Sequence, residues 1–244
     1  SNTANVLLVL GMPALLKSLD TAKCDTQPTY YYMVVASIVF IALAFTGGFG
    51  IWQGAILLLM LAVFLLKNLK DANAHRNGDA ESCDPKLLDL GAVDASIPGW
   101  RIALFLILGL VGLPLGADIL VDSASIIARS FAISEAVIGL TLIAIGTSLP
   151  ELSTAIVSVF RNQADVALGN VIGSNVFNLL GIIGVTAMID YVAVDPSFLK
   201  FDLWVMLAAS TFLAPFVLLG WRITRIWGFA LTTGYLIYVY LVLV

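Results

Sequence analysis

Charged and metal-binding side chains are scarce in this sequence. Asp, Glu, Lys and Arg make up only 11% of its 244 residues, whereas a soluble domain carries about 25% charged residues. Its one histidine, His75, lies in the longest polar loop, and its two cysteines, Cys24 and Cys83, lie in separate polar loops without metal-ligand spacing. These residues cannot build a disulfide framework, a zinc site or a Ser-His-Asp triad.

Apolar residues dominate instead. Hydrophobic residues make up 60% of the chain, and the mean hydropathy is +1.01. This composition is typical of a polytopic membrane protein. A surface that lies mostly in lipid leaves little room for a steering field, so the net charge of -4 says little about charged partners. We expect partners that are small or lipidic, and we expect no nucleic acid partner.

The apolar residues form eight segments. Most of these are long enough to cross a hydrocarbon layer of about 30 Å, which takes about 20 helical residues. Helices are expected because an open sheet edge would leave backbone groups unpaired in lipid. The segments lie near residues 1–16, 30–49, 51–66, 101–127, 135–160, 167–189, 203–220 and 226–244.

One long polar stretch, residues 67–99, separates the third and fourth segments. It is rich in Asp, Asn, Ala, Gly and Ser, which is typical of a flexible linker. It divides the chain into the remainder of a first half at 1–66, a linker at 67–100 and a second half at 101–244. Ten Lys and Arg residues lie on the linker side of the membrane and two on the other, which predicts a cytoplasmic linker and an external C-terminus.

The sequence contains a short internal repeat. SNTANVLLVLG at residues 1–11 matches SNVFNLLGIIG at residues 174–184, with Ser, Asn, Asn, Leu and Gly at the same spacing. Five crossings separate the two copies, so they run in opposite directions through the membrane. Such inverted repeats indicate a secondary transporter with a site near the membrane midplane. The second copy follows GTSLPE and the first copy follows nothing, so we expect the chain to lack the first half of its first repeat.

A carboxylate and a proline fall together in the motif GTSLPE of the fifth segment. On a helix, Thr147 and Ser148 share one face with Glu151, because they precede it by four and three residues. Pro150 has no N–H and clashes with the carbonyl of Gly146, which frees backbone oxygen in the same turn. These hard oxygen ligands suit calcium and sodium. An intramembrane acid costs about 2.5–3.5 kcal/mol, which favours a cation site over a kinked helix whose Glu bonds a neighbouring hydroxyl.

The sixth segment carries the motif GNVIGSNVFN. Ser174 and Asn178 lie four residues apart and face the same way, while the G-x-x-x-G spacing allows a neighbouring helix to approach closely. The alternative interpretation is helix packing with Asn as an interhelical hydrogen-bonding residue. Ser1 and Asn5 occupy the equivalent positions in the first repeat copy. This symmetry favours a ligand role for all four residues.

The stretch AIGTSLPELSTAIVSVFRNQADVALGNVIGSNVFNLLGIIG, at residues 144–184, resembles the second alpha-repeat of the cation/calcium antiporter superfamily. It is most similar to the prokaryotic members of the sodium/calcium exchanger family, because GTSxPE and GSNxxN occur in order and at the family spacing. The resemblance implies an all-α polytopic membrane protein with the inverted-repeat secondary transporter fold. It also implies two five-helix halves, of which the first is incomplete here.

The resemblance implies a set of cation ligands. Glu151 would be the central carboxylate, and the missing counterpart in the first repeat would be its symmetry mate. The other ligands would be the side chains of Thr147 and Ser148, the carbonyl of Ala144, Ser174, Asn178, Ser1 and Asn5. Asn178 stands where several family members, including potassium-dependent animal exchangers, have Asp, which argues against potassium co-transport. Proton-coupled relatives usually carry a GNxxE-like motif, so GTSLPE favours sodium as the counter-ion.

We therefore expect a calcium/sodium antiporter that works by alternating access, with no catalytic residue and no cofactor. Its substrates would be Ca²⁺ and Na⁺ (or H⁺), and it would lie in a bacterial inner membrane. The alternatives are a proton-coupled cation exchanger, a cation channel and a membrane protein that does not transport. An intramembrane enzyme is disfavoured because neither His nor paired Asp lies near Ser148 to act as a base. The oligomeric state is open at this point.

Overall fold

A computed structural model describes residues 1–21, 26–76, 99–133 and 135–243. Cys24, Cys83 and residues 77–98 of the predicted linker lie outside this described part. The described residues form helices joined by short loops, together with one two-stranded sheet.

The helices and strands alternate with four short π-helical stretches, here called π1 to π4. The first half contains, in chain order, α1 (Asn2–Ala4), π1 (Asn5–Val9), α2 (Gly11–Leu16), α3 (Gln27–Ala44), β1 (Gly48–Phe49) and α4 (Ile51–Arg76). The second half contains α5 (Gly99–Ser130), α6 (Glu135–Ile138), π2 (Gly139–Ile143), α7 (Ala144–Thr147), α8 (Leu149–Phe160), α9 (Ala164–Phe177), π3 (Asn178–Ile182), α10 (Ile183–Ile189), β2 (Val192–Ala193), π4 (Phe198–Asp202), α11 (Leu203–Phe212), α12 (Ala214–Leu218) and α13 (Arg225–Leu243).

The predicted apolar segments correspond to helices or runs of helices. Within the described ranges, six helices are long and apolar enough to cross a membrane. A seventh candidate is a broken span in which Thr141–Thr147 and Leu149–Phe160 meet at 48°. The first predicted segment is a shorter apolar helix, Asn2–Leu16. The all-α polytopic architecture is therefore confirmed.

Helices extend into both ends of the predicted linker. Helix α4 continues to Arg76, well past the predicted end of the first half at residue 66, and α5 begins at Gly99. Apolar composition marks where a helix leaves lipid, and a helix can continue into water with polar residues that favour the helical conformation. In this stretch Asn68 Nδ2 donates a hydrogen bond to the carbonyl of Phe64 over 3.0 Å.

The two repeat copies fold alike. Asn5 begins π1 and Asn178 begins π3, and these asparagines occupy the same position in the two copies.

A loop that follows each copy pairs with the loop before the last helix of the opposite half. Val192 pairs with Phe49 in the β1–β2 sheet, and Leu19 pairs with Ile223 in an isolated antiparallel bridge. Each half is thus fastened to the other by an equivalent contact.

Helix α9 lies at the centre of the packed core. Its residues Leu168, Val171, Ile172 and Val176 have no exposed surface, and α9 packs on α3, α8 and π1. Helix α5 lies at the periphery. Among its described side chains, only Ala117, Ser125 and Ala128 are buried. Ser174 of the second repeat therefore lies on a helix of the packed core.

Candidate cation site

The break between α7 and α8 positions the carboxylate of Glu151. Pro150 lies in the first turn of α8, where its missing N–H costs nothing. Ser148 joins the two helices, and its N–H bonds to the carbonyl of Ile145 over 3.0 Å. The proline therefore starts a new helix instead of distorting a continuous one. Glu151 lies in the first turn of α8, where the partial positive charge of the helix favours an anion.

Glu151 is half-buried and forms one hydrogen bond in the structure. Its Oε1 accepts a hydrogen bond from Ser174 Oγ on α9 over 2.9 Å. Its Oε2 is buried and has no hydrogen-bond partner among the described residues. An unpaired carboxylate oxygen in an apolar environment is costly, which makes this atom a strong candidate for binding a cation.

The polar residues of the two repeats meet at Ser174. Asn5 Nδ2 donates to Ser174 Oγ over 3.2 Å and to Asn175 Oδ1 over 3.0 Å. Asn5 is 1% exposed, and its Oδ1 has no partner in the described part of the chain. The amide oxygen of Asn5 is therefore available beside the hydroxyl that binds Glu151.

A second polar contact joins the repeats at their other asparagine. Asn178 Nδ2 donates to Ser1 Oγ and to Asn2 Oδ1, each over 3.0 Å. Ser1, Asn2 and Asn178 line a cavity of about 280 Å³, which is also lined by Ala144. The structure thus brings three of the predicted residues, Ser1, Ala144 and Asn178, to one cavity.

The two remaining predicted ligands, Ser148 and Thr147, differ in their surroundings. Ser148 is 1% exposed, and its Oγ has no described hydrogen-bond partner. Thr147 is exposed, and its Oγ1 donates to the carbonyls of Ile143 over 2.9 Å and Ala144 over 3.2 Å. The hydroxyl of Thr147 is therefore satisfied within its own helix, by carbonyls that include that of Ala144.

Sequence reasoning missed Asn2 and Asn175, the second residue of each repeat copy. Asn175 Nδ2 donates to the thioether sulfur of Met33 over 3.7 Å, and Asn2 Nδ2 donates to that of Met206 over the same distance. The signal was present, because both copies begin with Ser-Asn. The sequence does not indicate the methionine contacts, because Met33 and Met206 lie far along the chain from Asn175 and Asn2.

The site offers hard oxygen atoms from one carboxylate, amides and hydroxyls. The described part of the chain contains no group of three His, Cys, Asp or Glu side chains that could hold a metal ion. The amide and hydroxyl oxygens beside Glu151 are hard ligands, and calcium and sodium accept such ligands.

A family model described as sodium/calcium exchanger protein matches residues 1–70 and 101–244. Inner membrane protein YrbG of Escherichia coli (strain K12) is 35% identical over 243 residues, covering 98% of this chain and 73% of the relative. The putative antiporter CaxA of Alkalimonas amylolytica is 35% identical over 257 residues, covering 99% of this chain and 75% of the relative.

A solved structure has the same fold. The sodium-calcium exchanger NCX_Mj, soaked with 2.5 mM Na⁺ and 1 mM Sr²⁺, superposes with a TM-score of 0.71 at 29% identity. The match covers 98% of this chain and 73% of that structure. This likeness confirms the inverted repeats that the short sequence repeat predicted and the exchanger fold that the family resemblance implied.

Proposed function

The chain belongs to the sodium/calcium exchanger family, and from that premise we propose that it exchanges calcium for sodium by alternating access at an oxygen cage around Glu151. As a member of a family of membrane transporters it is not an enzyme, and cations are its substrates. The buried, unpaired Oε2 of Glu151 carries the proposal, because a calcium or sodium ion would supply its missing partner.

The proposed cage includes every ligand predicted from the sequence. Ser174 lies in direct contact with Glu151, and Asn5 lies in contact with Ser174. Ser148 contributes a buried hydroxyl. Thr147 and Ala144 would complete the cage through a small movement of α7 relative to α8, which the break at Ser148 permits. Ser1 and Asn178 would contribute from the cavity that they share with Ala144.

Electrostatics supports exchange over free leakage. An empty cage leaves the carboxylate of Glu151 uncompensated in a medium of low dielectric constant. Movement of the site across the apolar layer is then costly unless a cation accompanies it. After one cation is released, the site therefore needs another cation before it can reorient, and this requirement couples sodium transport to calcium transport. The peripheral helix α5 would rock against the packed core to open the site to one side at a time.

The proposed orientation places the linker in the cytoplasm of a bacterial cell and the C-terminus outside the inner membrane. The distribution of Lys and Arg supports this orientation. The relative from Escherichia coli is named as an inner membrane protein, which supports the location.

Calcium flux into membrane vesicles tests the proposal. Membrane vesicles are prepared from cells that express the protein and are loaded with sodium. Calcium uptake is then measured while an outward sodium gradient drives the exchange. Glu151→Gln should reduce uptake to the background, because Gln keeps the shape but removes the charge. Asp190→Asn removes a charge from an exposed residue at the end of α10 and should leave uptake unchanged.

Three outcomes would contradict the proposal. Near-normal uptake by Glu151→Gln would remove Glu151 from the transport step. Calcium uptake that proceeds without any counter-ion gradient would indicate a channel. Uptake that follows a proton gradient and ignores sodium would indicate a proton-coupled exchanger.

A further inference from the structure

Two networks of asparagine and methionine side chains link the repeat copies to α3 and α11. In the first, Asn5 Nδ2 donates to Asn175 Oδ1 over 3.0 Å, and Asn175 Nδ2 donates to Met33 Sδ over 3.7 Å. We call these three residues the Met33 network. Met33 has no exposed surface, and the two asparagines are each 1% exposed. Buried polar groups of this kind depend on one another for their hydrogen bonds.

The second network has the same order of donors and acceptors. Asn178 Nδ2 donates to Asn2 Oδ1 over 3.0 Å, and Asn2 Nδ2 donates to Met206 Sδ over 3.7 Å. We call these residues the Met206 network. Met33 lies 31 residues after Asn2, and Met206 lies 31 residues after Asn175. This equal spacing shows that the internal repeat relates the two networks.

The thioether at the end of each network determines which way the amides point. An amide has an oxygen that accepts and an NH₂ group that donates, so it can be turned either way, whereas a thioether sulfur only accepts. Asn175 therefore turns its NH₂ group towards Met33 and its oxygen towards Asn5. Asn5 presents its own NH₂ group to that oxygen. The Oδ1 of Asn5 then points away from Asn175, and it is buried without a partner among the described residues.

The orientation of these amides matters for a cation. Calcium and sodium bind the oxygen of an amide, and the N–H dipoles on its other side repel them. Asn5 and Asn178 are both proposed ligands, and each uses its NH₂ group as the donor within its network. Each network therefore leaves one amide oxygen for the cation. An amide turned the other way would direct two N–H donors at the same place.

We infer that Met33 and Met206 are positioning residues, which act through the neighbouring asparagine to keep the amide oxygens of Asn5 and Asn178 directed at the bound cation. This inference rests on the proposed function, which makes those two asparagines ligands. A methionine suits the role because its sulfur accepts a hydrogen bond without adding a charge to the core. The middle asparagine of each network belongs to the opposite repeat copy, so each repeat orients a ligand of the other.

A double-mutant cycle on calcium affinity tests whether Met33 acts through Asn175. Calcium binding to the purified protein in detergent is measured by calorimetry. Met33→Leu should raise the Kd by about 2- to 4-fold and Asn175→Leu by about 3- to 10-fold, because each removes a hydrogen bond that orients Asn5. The loss is partial, since Ser174 still accepts from Asn5.

The double variant decides between orientation and packing. Met33→Leu combined with Asn175→Leu should bind calcium as Asn175→Leu alone does, because Met33 then has no amide to orient. Two effects that multiply would show that Met33 contributes only packing, and would overturn the inference. Met206→Leu and Asn2→Leu should show the same dependence in the other network.

Met33→Leu combined with Asn2→Leu is the matched control, because these residues belong to different networks. Their effects on the Kd should multiply. Thermal unfolding of each variant shows whether it folds. A cross pair as strongly coupled as the pairs within a network would indicate a general loosening of the core, and would overturn the inference.

NMR of methionine methyl groups labelled with ¹³C tests the networks without mutation of a ligand. Calcium should shift the signals of Met33 and Met206, because a cation on the amide oxygen polarises the hydrogen bonds that lead to each sulfur. Met188, which is exposed on α10, should not respond. Asn175→Leu should abolish the response of Met33 and preserve that of Met206. Unchanged signals of both methionines in the calcium-bound protein would overturn the inference.

These measurements separate the inference from the proposed function. If the unmodified protein exchanges calcium for sodium but the paired effects multiply and the methyl signals do not respond, only the positioning role fails. If calcium affinity and the methyl signals follow the networks but vesicles show no sodium-driven calcium uptake, the positioning role stands and the proposed exchange fails.

Discussion

Ser174 Oγ donates a hydrogen bond to Glu151 Oε1 over 2.9 Å, and this contact joins α9 to the first turn of α8. The same hydroxyl accepts a hydrogen bond from Asn5 of the other repeat. A serine can do both because its hydroxyl is one donor and two acceptors. Ser174 therefore connects Glu151 to residues of both halves of the molecule.

Ser174→Ala should weaken cation binding without unfolding the protein. The change leaves Oε1 of Glu151 without its donor, and hydrogen bonds to charged groups are worth about 1.5–3 kcal/mol. We expect the KM for calcium in the vesicle assay to rise by about 10- to 100-fold. Ser153→Ala is the control, because Ser153 bonds only to the carbonyl of Leu149 in its own helix. An equal effect of both changes would show that Ser174 has no special role.

The thioether contacts of Met33 with Asn175 and of Met206 with Asn2 predict similar effects on the KM for calcium. Met33→Leu and Met206→Leu remove the sulfur acceptors of Asn175 and Asn2 while nearly conserving volume, so stability should fall by less than about 1.5 kcal/mol. Each change frees an amide next to the site and should raise the KM for calcium by a few fold. Met188→Leu, at an exposed position on α10, should do neither. A shift in only one of the two variants would contradict the symmetry.

Much of the site could be predicted from the sequence because its residues lie close together along the chain. Glu151 and Ser174 belong to consecutive helices, and GTSLPE and GSNVFN show their spacing directly. The positions of Thr147 and Ala144 could not be predicted, since they depend on where the helix breaks. A proline at 150 is compatible with a kink and with a new helix start, and only the surrounding packing decides between them.

The fold was predictable at the level of segments and not of their ends. Apolar runs indicate lipid, so the eight segments could be predicted from composition, whereas the continuation of α4 to Arg76 through polar residues could not. The backbone contacts that join the two halves could not be predicted from the sequence either. Leu19 and Ile223 are paired by a backbone bridge, and backbone pairing leaves almost no mark on residue type at distant positions.

A hydrogen bond at the start of α11 should stabilise the second half. Tyr238 Oη on α13 donates to Asp202 Oδ1 over 2.8 Å, and Tyr238 is buried. Tyr238→Phe leaves the carboxylate of Asp202 without this donor, so we expect a loss of about 1–3 kcal/mol in the free energy of unfolding. Tyr240→Phe, at an exposed position of the same helix, should be nearly neutral. Thermal or denaturant unfolding in detergent measures both, and equal stability of the two variants would contradict this role.

The loop between β2 and π4 should show a titration effect. The N–H of Ser197 and its Oγ both donate to Asp195 Oδ1 over 2.8 Å, and these bonds hold the pKa of Asp195 below its usual value. A lowered pKa stabilises the folded state above the usual value, and this contribution is lost as the pH falls through the lowered pKa. Ser197→Ala should raise the pKa of Asp195 part of the way, because the backbone N–H remains. Carbon NMR of labelled Asp measures this, and an unchanged pKa would contradict it.

Two glycines at close helix contacts should lower the stability of the protein when they are replaced by alanine. Gly228 of α13 packs on α2, where an added Cβ would lie 2.8 Å from Leu15 N and 2.9 Å from Ala14 Cβ. Gly54 of α4 packs on α10 in the equivalent way, with an added Cβ at 2.9 Å from the carbonyl oxygen of Gly184. Both neighbours include backbone, which cannot move aside as a flexible side chain would. Gly228→Ala and Gly54→Ala should therefore each cost about 1–3 kcal/mol through overpacking.

Gly234→Ala is the control on α13 itself, because an added Cβ there would meet no atom within 4 Å. That change should leave stability unaltered or raise it by up to about 1 kcal/mol, since Ala favours the helix more than Gly does. Unfolding in detergent compares the three variants. Because Gly54 and Gly228 fasten the end of each repeat copy to the last helix of the opposite half, their losses should be similar in size. A large loss at one position and none at the other would mean that the two halves are packed by different contacts despite their matching sequence.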